Sequence, residues 1–127
     1  MKKPSFYLTL LTFCWLFAMS CTKADAVKDV AIRIDIQYMF NVDTVKIYLD
    51  GQKEFDNVVT TSNILSFAGG FSTVKTEGRH ELKVMVNNNV YTEAFTLTNT
   101  LYVGVRYNMQ PGQQLTTVYS NKPFEYR

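Results

Sequence analysis

Few residues of this chain have chemical reach: one histidine, eleven carboxylates and two cysteines. His80, as a general base, needs a nucleophile on one side and an orienting carboxylate on the other. The sequence around it implies neither. It stands in phase with Leu82, Val84 and Val86, just after Gly78-Arg79, and so reads as a strand-start residue at the rim of a core. A single imidazole excludes a histidine-rich metal site. The carboxylates are spread out, and the densest group, Asp50, Glu54 and Asp56, lacks calcium-loop spacing. That group reads as a solvated hairpin end, with a weak Ca²⁺ site as the other reading. Gly69-Gly70 is followed by no helical pattern, so it is a place for a bulge or a strand crossing and not a phosphate loop. No cofactor and no metal is implied.

Cys14 and Cys21 belong to the chain's start. Met1-Lys2-Lys3 precedes an apolar stretch from Phe6 to Met19, too short for the roughly 20 residues a bilayer span needs. With Ala18, Ser20 and then Cys21, the segment resembles a bacterial lipoprotein signal. The resemblance implies cleavage before Cys21 and diacylglycerol on its thiol, usually with a further acyl chain on the new amino group. Thr22 in place of an aspartate there resembles signals for outer-membrane delivery. Ordinary cleavage at Ala24 or Ala26 is the other reading. The expected organisation is a signal peptide over 1–20, a lipidated tether over 21–28 and one domain over 29–127.

Removing residues 1–20 leaves 107, enough for one domain with its own core. The two leader lysines account for the whole-chain charge of +2, so the mature domain is near neutral. It has no basic field for nucleic acid. With Cys14 discarded and Cys21 acylated, no thiol remains for a disulfide, a cysteine zinc site or a nucleophile.

The elements that must position the rest are strands. Val30, Ile32, Ile34, Ile36, Tyr38 and Phe40 occupy every second position, and Val45, Ile47 and Leu49 alternate before the hairpin pair Asp50-Gly51. Phe55, Val58 and Val59 suggest an irregular edge strand. Ile64–Ala68 suggests another, with Phe71–Lys75 a short continuation. His80–Val86, an Asn87-Asn88-Asn89 turn, Val90–Leu97, Leu101–Tyr107, a Pro111-Gly112 turn and Leu115–Tyr119 follow. About seven short strands with turn residues between them predict an all-β, antiparallel sandwich. Ile34 and Val84 are expected in its core.

Outward positions offer the one hint of binding. If Leu101, Val103 and Val105 face inward, Tyr102 and Arg106 flank Gly104 as a flat floor outside, and Tyr48 likewise faces out. Tyrosines beside a guanidinium suit a protein or glycan partner. Ordinary sheet surface is the plainer reading.

Val45-Lys46-Ile47-Tyr48-Leu49-Asp50-Gly51 and Glu77-Gly78-Arg79-His80-Glu81-Leu82-Lys83-Val84 resemble the hairpin and following strand of small immunoglobulin-like and transthyretin-like modules. With its leader, the chain resembles the small lipoproteins abundant in Bacteroidota. These resemblances imply a lipid-anchored β-sandwich at the outer membrane and no shared catalytic residues. The expected function is a non-enzymatic binding or assembly module. A carrier of a small apolar ligand, a carbohydrate-binding module and, further off, a hydrolase using His80 are the alternatives.

Overall fold

The computed structural model describes residues 26–108 and 114–127. Cys21, the expected lipidation site, Ala24, one of the two alternative cleavage positions, and Pro111-Gly112, the expected turn, lie outside the described residues. Among the described residues eight strands form: β1 (Asp29–Ile36), β2 (Asp43–Leu49), β3 (Gln52–Val59), β4 (Gly69–Thr76), β5 (Gly78–Val86), β6 (Asn89–Leu97), β7 (Leu101–Tyr107) and β8 (Leu115–Ser120). They build two four-stranded sheets, ordered β4-β1-β7-β8 and β3-β2-β5-β6. Every pairing is antiparallel except β1 with β7.

Alternation in the sequence becomes the two faces of each sheet. Ile32, Ile34 and Ile36 of β1, Val103 and Val105 of β7, Ile47 and Leu49 of β2, and Leu82 and Val84 of β5 are all essentially without solvent contact. They form one core between the sheets. Ile34 and Val84 are buried as expected. The β2–β3 turn takes the left-handed backbone at Asp50 (φ 51°) and Gly51 (φ 79°), and Asn87 does the same (φ 53°) between β5 and β6. Asp50-Gly51 and the asparagine run thus turn as their composition requires.

One long side of the sandwich is closed. There Phe55 of β3 stacks on Phe71 of β4 with ring centroids 6.0 Å apart, and Lys75 meets Glu54 at 2.8 Å. The opposite side, between β6 and β8, carries Phe95 against Tyr119 at 6.1 Å and a hydrogen bond from the Thr117 hydroxyl to Glu93. A cleft of about 580 Å³ opens there and reaches Leu82 and Val84.

Three expectations change. Ile64–Ala68 is a loop, with Ile64 80% exposed. The Ser62 hydroxyl oxygen accepts from the Ile64 and Leu65 amides, which curls the backbone and prevents a ladder. The strand begins instead at Gly69 and pairs in full with β1, making Phe71–Lys75 part of β4 with no bulge at Gly69-Gly70. Finally, β1 ends at Ile36, because Met39 enters the left-handed region (φ 76°); Tyr38 is then partly exposed while Phe40 returns to the core. The division of strands also departs from the immunoglobulin arrangement, in which the first two strands share a sheet. Here β1 and β2 lie in different sheets.

Candidate functional site

His80 opens β5 with both ring nitrogens engaged. Nδ1 lies 2.6 Å from an Asp50 carboxylate oxygen and Nε2 lies 2.6 Å from the Thr76 carbonyl. Two acceptors satisfy the ring only when both nitrogens carry protons. The hydrogen bond to Asp50 accordingly holds the imidazole above its ordinary pKa, against the opposing effect of burial. Burial pushes Asp50 upward, but the Glu81 amide and His80 outweigh it and leave the carboxyl below its usual range. The imidazolium thus pins the β2–β3 turn to Thr76 at the end of β4. It is a staple between the two sheets, and neither nitrogen is free to take a proton from a substrate.

The Asp50, Glu54 and Asp56 group is dispersed by its partners. Asp50 serves His80, Glu54 serves Lys75, and Asp56 meets Lys53 at 2.9 Å. Among the described residues, no cluster of three or more metal-ligating side chains forms.

The tyrosines separate as well. Tyr48 lies on the outer face of the β3-β2-β5-β6 sheet, where the Lys83 ammonium sits 4.3 Å from its ring centroid. Tyr102 and Arg106 lie on the outer face of the other sheet, across the full thickness of the sandwich. Tyr48 therefore shares no face with them. Tyr102 instead stands beside Arg33, its register partner on β1.

The expected glycine floor between Tyr102 and Arg106 is covered. A Cβ at Gly104 would come within 2.7 Å of the Gln37 amide nitrogen, so the Gln37 side chain occupies that space. Arg106 donates from Nε to Gln37 Oε1 at 2.6 Å, and its guanidinium lies 5.0 Å from the Tyr38 ring centroid. Arg106 is thereby fixed against the protein.

What sequence reasoning missed is the centre of this face. Asp35 has glycine as its register partner on both sides, Gly70 on β4 and Gly104 on β7. The missing side chains leave a trough along β1. In it Arg33 Nε donates to Asp35 at 2.6 Å, the Tyr126 hydroxyl donates to the other Asp35 oxygen at 2.7 Å, and Gln37 Nε2 donates to that hydroxyl at 3.0 Å. Asp35 and Gln37 are only 5% and 2% exposed. Burial pushes the Tyr126 phenol up to about 12, helped by the adjacent Asp35 carboxylate, so it remains a neutral donor. The only linear signal was the aromatic ending Phe124-Glu125-Tyr126-Arg127, which gives no hint of where it docks.

The segment over 121–127 crosses this face and leaves a cleft of about 300 Å³ beside Tyr102. Arg33, Asp35 and Ser72 supply its polar wall, and Tyr102, Pro123 and Phe124 its apolar one. Few polar groups among apolar and aromatic surfaces is the make-up of a small recognition site. Comparison of the chain with family models, with curated proteins and with solved structures returns no match.

Proposed function

We propose that this protein is a non-enzymatic binding or assembly module, held at the outer membrane by lipid on Cys21, with the outer face of the β4-β1-β7-β8 sheet as its binding face. The observation that carries the reading is the Tyr102 cleft. An aromatic ring and a guanidinium already oriented by Asp35 stand there on paired strands, facing the Pro123-Phe124 wall. Rigid aromatic anchors beside arginine are the groups that contribute most at recognition surfaces. The engaged state of both His80 nitrogens supports a role without catalysis. The division of β1 and β2 between sheets favours the transthyretin-like over the immunoglobulin-like resemblance.

The anchor has its own support in the leader before Cys21. One acyl chain binds membranes marginally and two or more hold firmly. The mature protein is expected in the detergent phase and in the outer-membrane fraction, and Cys21→Ser is expected to release the domain or leave the precursor uncut. A Cys21→Ser protein that is processed and still firmly bound contradicts the anchor. Capture of an outer-membrane protein or glycan should fall on Tyr102→Ala in the folded, attached protein, with Lys83→Ala as control. Equal capture by both variants contradicts the binding face.

A second reading draws on the cleft between β6 and β8, which reaches core residues Leu82 and Val84 and could admit a small apolar ligand. Its walls also carry Glu93, Thr116 and Thr117, which suits such a ligand less well.

A further inference from the structure

The segment after β8 lies across the outer face as a strap. Ser120 and Lys122 close a short turn through the Ser120 hydroxyl, which bonds both the amide and the carbonyl of Lys122. Beyond that turn the strap has open space on both flanks. One is the cleft beside Tyr102, and the other, of about 370 Å³, lies between Tyr38, Leu65, Arg106 and the strap itself. Its firm attachment is Tyr126, whose hydroxyl sits between Asp35 and Gln37 and whose ring packs on Phe67 at 4.9 Å between centroids. A single specific anchor with loose flanks is how a short peptide sits in a groove.

We propose that this groove is a docking site for an extended segment of the form Pro-Phe-x-Tyr, and that its occupant in an assembly is residues 121–127 of a second copy of this chain. The inference rests on the reading of this face as the binding face. Complementarity is already displayed, because the segment seated in cis makes the contacts that the same segment from another copy would make. Exchange between copies therefore requires no new interface. The site is also built for that anchor. Gly70 and Gly104 open the trough, and Asp35 and Gln37 present an acceptor and a donor to one hydroxyl at its floor. The connection permits release, since residues 121–123 are exposed and lie beyond the last ladder of β8. A segment tethered in cis acts at an effective concentration in the millimolar range, so exchange between copies requires local crowding of that order, as attachment to one membrane would supply.

The test titrates a dye-labelled peptide, Asn-Lys-Pro-Phe-Glu-Tyr-Arg, into the full chain carrying Tyr126→Ala, followed by anisotropy. Tyr126→Phe, which removes one oxygen, is a parallel receptor, and circular dichroism checks both. The peptide is expected to bind the receptors at least tenfold more tightly than it binds wild type, whose own strap competes. A peptide with phenylalanine at its sixth position is expected to bind at least tenfold more weakly. Equally weak binding to all three proteins overturns the groove. The occupant is tested by a benzophenone amino acid in place of Phe124, in a mixture of two differently tagged copies on vesicles. Cross-links joining the tags, and suppressed by excess peptide, are the expected result. Adducts confined to single copies overturn the second copy as occupant. Adducts from position 102 to a different protein, with none between copies, leave the binding face standing and overturn this inference alone.

Discussion

The Tyr126 hydroxyl donates to the Asp35 carboxylate at 2.7 Å, joining two residues 91 positions apart in the chain. With Arg33 on the other oxygen, it completes the hydrogen bonding of a carboxylate that is 5% exposed. Leaving a buried polar group without its partner costs about 1–3 kcal/mol. Tyr126→Phe should therefore destabilise the domain by about that much in urea unfolding, although it removes one atom from an otherwise irregular segment. A change below about half a kcal/mol would mean that the Tyr126 hydroxyl contributes nothing to the fold.

Two adjacent glycines separate structure from mere flexibility. At Gly70 a Cβ would lie 2.6 Å from the Ile34 carbonyl and 2.7 Å from Asp35, and the carbonyl belongs to a paired strand that cannot yield. At Gly69 the nearest atom is 3.7 Å away, an ordinary contact. Gly70→Ala should cost about 1–3 kcal/mol or more through overpacking, and Gly69→Ala should stay within about half a kcal/mol. Equal effects would show that the register of β4 on β1 is not the one described.

Most of the fold is legible because alternation is local. Four alternating apolar positions from Val30 to Ile36 announce a strand without knowledge of its neighbours, although the alternation runs on past its end to Phe40. Ile64–Ala68 misleads because its composition suits a strand, while Ser62 offers the backbone a competing set of hydrogen bonds. The trough is illegible for a different reason. Asp35 of β1 and Gln37 just beyond it fall at outward positions of the alternation, yet both are buried, with Tyr126 of the strap hydrogen-bonded to each. That Gly70 and Gly104 flank Asp35 depends on pairing across 35 and 69 residues, which no local pattern carries. Tyr48 and Tyr102 look equivalent in sequence because alternation gives in or out but not which sheet.

The His80–Asp50 staple should leave its mark in pH. His80 has its pKa raised on folding above 6.5, so its stabilisation is complete below that value and is lost as pH rises through the folded pKa. Asp50 is lowered below 3.8, so its stabilisation is complete above that value and is lost as pH falls through the folded pKa. The stability difference between wild type and His80→Gln, measured by denaturant unfolding across pH, should be largest between about 4 and 6.5 and shrink on either side. A difference that grows steadily above pH 7 would mean that the neutral ring is the one preferred.

Core and surface should respond unequally. Ile34→Ala and Val84→Ala are each expected to cost roughly 2–4 kcal/mol in a filled core. Lys83→Ala, whose ammonium rests on the half-buried ring of Tyr48, should cost no more than about 1 kcal/mol. Arg33→Ala is expected to cost about 1–3 kcal/mol, since Asp35 would stay buried without its cation. Matching losses at Ile34 and Lys83 would exchange the two faces.

The central claim is that recognition uses the outer face of the β4-β1-β7-β8 sheet. It is tested most directly by placing a photo-cross-linking amino acid at Tyr102 in one full-length protein and at Tyr48 in another, then irradiating intact cells that make each. The two positions lie on opposite outer faces of the same sandwich, so each serves as the control for the other. Discrete intermolecular adducts at position 102 and none at position 48 are the result predicted. Adducts at 48 with none at 102 would contradict the account and move the binding face to the other sheet.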